Sequence, residues 1–281
     1  MTSVNLTRTE AVERSRMIEV GHYDVTLDLK YSDTHFLSTT KVSFTSREIG
    51  STFIDLRAEE IQEVRLNGNP LPTNSYNPTY GIPLSGLQVA DYTLEVTAKI
   101  PYSRTGEGLH KFTDPVDGKD YLYTQFEPAM AMKVFACFDQ PDLKPEWEIS
   151  VVAPSAWTVV SNGDLVTSTP AEGADGVRHV FSRTRRFPTY VAAVCAGPWA
   201  SEATTHDGIP LRVLAMASRA DDLREQAPDL FDATRRAFDH QRQQGVAAVA
   251  VAVVADGHEV QPLLRFQQAV RDPDGGGGVE R

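Results

Sequence analysis

Side chains able to do chemistry are few in this 281-residue chain, and most stand alone. The single His-Glu pair is His258-Glu259-Val260-Gln261-Pro262. A helix that offers zinc two histidines four residues apart, with the intervening glutamate as general base on the bound water, needs a histidine where Pro262 stands. Proline would also break the helix that must present both ligands. This stretch is therefore not read as a zinc site. Cys137 and Cys195 are the only cysteines and lie far apart, without metal-ligand spacing. They argue against a disulfide framework or a thiolate zinc site and are read as buried free thiols in a reducing compartment. His110, between Leu109 and Lys111, reads as a packed or hydrogen-bonded structural residue. No Gly-x-Ser-x-Gly elbow and no plausible Cys–His pair marks a metal-free hydrolase.

The most specific local sequence is Tyr121-Leu122-Tyr123-Thr124-Gln125-Phe126-Glu127, followed by Val134-Phe135-Ala136-Cys137-Phe138-Asp139-Gln140-Pro141-Asp142-Leu143-Lys144. Together these resemble the amino-terminal domain of the aminopeptidase N family, zinc metallo-aminopeptidases that carry G-A-M-E-N and H-E-x-x-H motifs. Pro101-Tyr102-Ser103-Arg104-Thr105-Gly106-Glu107-Gly108-Leu109-His110-Lys111-Phe112 resembles its actinobacterial-type members, with Gly106 and Gly108 permitting a tight loop. The resemblance covers most of residues 1–240 and is strongest over 102–144.

That resemblance implies that Gln125 and Glu127 line the first substrate pocket, Glu127 binding the free α-amino group of a peptide. The physics agrees: an exopeptidase must hold an ammonium, and a carboxylate in a partly dry pocket does so with a charge-assisted hydrogen bond. A peptide blocked at its amino terminus loses that bond. The competing reading is a strand-end Glu127 that simply faces solvent, as most glutamates do. Between the matching blocks, Pro128-Ala129-Met130-Ala131-Met132-Lys133 departs from the more polar and basic stretch of the family, which bears on pocket shape beside Glu127. Asp139-Gln140-Pro141-Asp142 is family-like too and reads as a turn, with proline fixing φ and the aspartates accepting backbone hydrogen bonds.

The elements that must position these residues are mostly strands. Tyr23, Val25, Leu27 and Leu29 alternate with polar neighbours, as on a strand with one buried face, and residues 39–45 repeat the pattern. Residues 61–71 read as a strand running into the hairpin signal Asn67-Gly68. Further strands are expected at 92–97, 121–126, 146–152, 158–161, 178–184 and 190–195. Residues 7–17 form a short polar surface helix behind a capping Thr7. The spacing predicts a mainly β fold: an antiparallel, saddle-like β-sandwich domain over residues 1–200. Residues 201–240 open an α-containing catalytic domain, with a strand at 209–217 and a helix at 221–240 whose Leu223, Leu230, Phe231 and Phe238 fall at helical spacing.

Residues 241–281 contain no Ser, Thr, Lys, Ile, Tyr, Trp, Asn, Cys or Met and read as an atypical tail, frame-shifted or belonging to a naturally short form. Val and Ala alone fill 246–254, too small to pack a core well, and Gly275–Gly278 carry no packing side chains, so low order is expected there. With 41% hydrophobic residues the chain can bury a core, and a net charge of -11 argues against a nucleic-acid binder. The first residues lack a basic, then apolar, leader and no long apolar run occurs, so a soluble cytoplasmic protein without membrane partners is expected.

In the intact family a zinc-activated water attacks the first peptide bond while residues at the positions of Gln125 and Glu127 hold the amino terminus. This chain shows no zinc set, so no catalytic or metal residue and no cofactor is assigned to it. It is expected to be inactive alone while retaining peptides with a free amino terminus as partners. Self-association through a surface that would otherwise meet the catalytic domain is a further expectation. The alternative is a stand-alone, non-catalytic β-sandwich module for peptide binding or interaction.

Overall fold

The computed structural model describes residues 6–172, 175–243 and 252–253. The readings of His258–Pro262, of Gly275–Gly278 and of most of 246–254 lie outside them. The chain divides into two compact units at Pro198/Trp199.

In the first unit, α1 (Arg8–Met17) starts at a capping box. The Thr7 side chain accepts from the Glu10 N–H, and the Glu10 carboxylate accepts from the Thr7 N–H at 2.8 Å, satisfying two donors that the helix leaves open. Arg14 is its buried residue, so α1 is tied down by a charged side chain and is more than the surface helix expected.

Two long strands follow, β1 (Ile18–Asp28) and β2 (His35–Ser46), then β3 (Gly50–Ile54), β4 (Glu60–Leu66) and β5 (Asn69–Pro70). Asn67 and Gly68, at φ 50° and 78°, close the β4–β5 hairpin, the backbone that an Asn-Gly pair adopts readily. Next come β6 (Ile82–Leu87), β7 (Ala90–Pro101), β8 (Gly108–Thr113), β9 (Asp120–Gln125), β10 (Glu146–Pro154), β11 (Thr158–Ser161), β12 (Leu165–Pro170), β13 (Gly176–Phe181) and β14 (Val194–Gly197).

An eight-stranded sheet runs β12-β13-β10-β1-β2-β7-β4-β5, a four-stranded sheet β11-β14-β9-β8, and β3 pairs with β6. Among the described residues all pairings between the named strands of this unit are antiparallel except β1 with β10, where His22 faces Glu146 and Asp28 faces Val152. The expected all-antiparallel arrangement thus holds except at this central joint. Residues 190–195 also differ from the expected strand, because a 3-10 turn at Thr189–Val191 precedes β14.

The unit's core is continuous, joining Val25, Phe36, Val42 and Val96 of the large sheet to Leu109, Leu122, Phe126 and Val194 of the smaller one. Trp147 is its centre: fully buried, stacked on Tyr23 at 4.5 Å and Phe187 at 5.6 Å, its indole N–H donating to the Phe187 carbonyl at 3.1 Å. Buried indoles need such a partner.

The second unit holds β15 (Ala200–His206), β16 (Ile209–Ala215), α2 (Ala220–Gln243) and β17 (Ala252–Val253), the last parallel to β16. Leu223, Ala227, Phe231 and Phe238 pack on Leu211, Val213 and Ala215, the face that their helical spacing indicates. Among the described residues no helix is long and apolar enough to cross a membrane.

Candidate functional site

The β8–β9 hairpin sets the two predicted binding residues. Burial alternates along β9: Leu122, Thr124 and Phe126 are buried, Tyr123 and Gln125 partly exposed, and Glu127 exposed. This period of two carries Gln125 to the outer side, opposite Gly108 of β8. Phe126 anchors the strand end in the core, edge-on to Phe135 at 5.5 Å. The chain then turns through Glu127-Pro128, a cis peptide bond, and the Met130 N–H donates back to the Phe126 carbonyl at 2.8 Å. Glu127 has no hydrogen bond or ion pair with any of the described residues.

Gly108 shows why the neighbouring loop needs glycine. Its φ is +67°, and a Cβ there would lie 3.0 Å from the Lys133 Cβ, tighter than ordinary contact. Lys133 reaches across to Glu107, with Nζ 2.5 Å from the carboxylate. This ion pair engages the basic residue that follows Glu127 and ties the 131–133 turn to the β8 loop. His110 is structural, as its setting in the sequence indicates: Nδ1 accepts the Gly106 N–H at 3.1 Å and its ring lies 5.1 Å from that of Tyr123.

Asp139 does more than form the expected turn. Its carboxylate accepts the Met132 N–H at 3.3 Å and the Thr189 hydroxyl at 2.6 Å. Its own N–H donates to Asp55 Oδ2 at 3.1 Å, the same oxygen that Arg14 Nη1 reaches at 3.1 Å. Burial pushes the Asp139 carboxyl above its usual range, against the lowering effect of the Thr189 hydroxyl and the Met132 N–H. Glu107 with Lys133 and Asp139 with Met132 each join separate elements, and no local pattern in the sequence signalled either contact.

Cys137 and Cys195 are both buried and not joined in a disulfide, and burial drives the Cys137 thiol well above its ordinary value. A cleft of 460 Å³ opens elsewhere on the unit, lined by Glu19, Ser43, Asp91, Tyr92 and Arg186 among others; Gln125 and Glu127 do not line it. In the second unit His206, Asp207 and Asp239 lie close enough to share an ion, with the His206 Nε2 2.8 Å from Asp239. One histidine with two exposed aspartates is not the pair of histidines plus glutamate that a zinc peptidase uses, so the described residues do not fit that metal set and no chemical step is derived through it.

Sheet order, core and hairpin define a mainly β domain built from largely antiparallel sheets. Residues 20–191 match the Peptidase M1 N-terminal domain, more than half of the chain, and the chain belongs to that family. It is 41% identical over 246 residues to aminopeptidase N of Streptomyces lividans, covering 85% of this chain and 28% of that protein. Aminopeptidase N of Acetobacter pasteurianus is 36% identical over 127 residues, covering 44% and 36%. Human endoplasmic reticulum aminopeptidase 1 is 29% identical over 217 residues, covering 70% and 23%. The aligned part thus spans between about a quarter and a third of these relatives' lengths.

Proposed function

We propose that this chain is the amino-terminal portion of a zinc metallo-aminopeptidase and that Gln125 and Glu127 hold the free amino terminus of its peptide. The observation that carries the reading is Glu127 itself. It is an exposed carboxylate without a partner among the described residues, on a turn fixed by the buried Phe126, two residues beyond the half-buried Gln125. The family match supports it.

An ammonium offers three donors. The Glu127 carboxylate takes one or two and supplies the opposite charge, and the Gln125 amide oxygen takes another. Such a clamp recognises the end of a chain and fixes how far the first peptide bond lies from it, which is a positioning effect. Zinc, when bound in the intact enzyme, supplies an activated water. The H-E-x-x-H sequence does not occur in these 281 residues, so a polypeptide consisting of them binds and does not turn over. Two buried thiols without a disulfide support a reducing, cytoplasmic setting.

Isothermal titration with L-leucine amide and N-acetyl-L-leucine amide tests the clamp. The free amine is expected to bind and the acetylated form not to. Glu127→Gln is expected to weaken the amine about tenfold or more, the worth of a hydrogen bond to a charged group. Equal binding of the two ligands, or an unchanged affinity in Glu127→Gln, overturns the reading.

A further inference from the structure

We infer that Asp139 is a positioning residue for Glu127, its carboxylate fixing the turn by which the chain leaves the amine-binding site. The inference rests on the reading of Glu127 above and adds the device that holds that residue in place.

An aspartate whose work is a local turn bonds backbone two or three residues away. Asp139 instead reaches back seven residues to the Met132 N–H and forward fifty to the Thr189 hydroxyl. The Met132 carbonyl is taken as well, by the Arg57 N–H at 2.7 Å, so this residue of the backbone is gripped on both its donor and its acceptor. Upstream, the Phe126 ring sits in the core and its carbonyl accepts the Met130 N–H. Glu127 is therefore held in a short loop between two anchors, one hydrophobic and one made by Asp139. Shortness of this kind leaves few conformations to lose on binding.

The arrangement is expensive enough to call for a reason. Asp139 is half-buried beside a second carboxylate, Asp55, whose charge is met by Arg14 of α1. Burying a carboxylate costs free energy unless its lone pairs are filled, and here the donors that fill them are the backbone of the Glu127 turn, at Met132, and the 3-10 turn at Thr189. The same network runs on to α1, where Gln140 Nε2 donates to the Ala11 carbonyl at 2.8 Å. The amine site is thus tied to the amino-terminal helix through Asp139, Asp55 and Arg14.

Three variants of the 281-residue chain test this: Asp139→Ala, Asp139→Asn and Thr189→Val, each read by hydrogen exchange over residues 126–134 and by L-leucine amide affinity. Asp139→Ala is expected to speed exchange at Met130 to Val134 and to weaken the amine, each about tenfold, the cost of ordering one or two freed residues. Asp139→Asn keeps an oxygen toward the Met132 N–H and is expected to restore both within about threefold. Thr189→Val, which removes one donor and keeps the shape, falls between and carries the comparison where Asp139→Ala fails to fold. Unchanged exchange in Asp139→Ala or Thr189→Val overturns the inference, as does faster exchange at undiminished affinity. A wild-type chain that binds no L-leucine amide overturns the amine-site reading and the link to Glu127 with it, whereas normal wild-type binding with no loss in Asp139→Ala overturns the positioning role alone.

Discussion

Replacing Arg14 by methionine removes the cation that anchors α1. Arg14 Nη1 lies 3.1 Å from Asp55 Oδ2, with only 3% of the arginine side chain and 12% of the aspartate side chain exposed. A second guanidinium nitrogen donates to the Phe53 carbonyl at 3.3 Å, and the guanidinium lies 4.2 Å from the centre of the Phe53 ring. Breaking a buried pair by removing one partner costs about 3–5 kcal/mol, because the other charge stays buried. Asp55 keeps the Asp139 N–H and methionine keeps contact with the Phe53 ring, which places the expected loss near the lower limit, about 3 kcal/mol. Urea unfolding followed by tryptophan fluorescence measures it. With a slope of about 3 kcal/mol per molar urea the midpoint falls by about 1 M. The double variant Arg14→Met/Asp55→Asn is expected to recover part of the loss, since the stranded charge is gone. A loss below about 1 kcal/mol would refute the reasoning and make the pair no more than a surface contact.

Gly81 has φ +78°, and a Cβ there would lie 1.9 Å from the Ile54 carbonyl oxygen, whereas Gly86, at φ +69°, has open space. Gly81→Ala is therefore expected to destabilise by about 3 kcal/mol or more and Gly86→Ala by only about 1–2 kcal/mol, compared by the same unfolding assay. Neither buried thiol is expected to react with a thiol reagent in the native chain, and both react in denaturant; fast native labelling of Cys137 contradicts the packing around it. Burial holds Asp139 above its ordinary value, so the folded state binds that proton more tightly than the unfolded state does. This residue's contribution to stability is then most favourable at low pH and declines as pH rises from the ordinary carboxylate value through the raised one. Asp139→Asn is expected to flatten the pH dependence of unfolding in that window.

How far the fold could be read ahead depends on which residues carried a local signal. Alternation in β1 and β2, the Asn67-Gly68 turn and the Leu223, Phe231 and Phe238 spacing each state their element within a few residues, and the structure has them there. By contrast β12 is exposed along its whole length, so no face alternates and nothing in its sequence marks a strand. The parallel pairing of β1 with β10 joins segments more than a hundred residues apart, a choice made by packing and not by local preference. At the site, Gln125 and Glu127 stand out through the family-like run around them. The Asp139 contacts and the Lys133–Glu107 pair do not, because each joins residues whose relation exists only after the hairpin and the turns have closed.

The central claim, that Glu127 and Gln125 take hold of a free amino terminus, is tested most directly by a crystal structure of the chain with L-leucine amide bound. The account predicts the ammonium within about 3 Å of the Glu127 carboxylate, with the Gln125 amide oxygen as a second acceptor. Ligand ordered instead in the cleft beside Glu19, Asp91 and Arg186, with Glu127 still facing solvent, would contradict it.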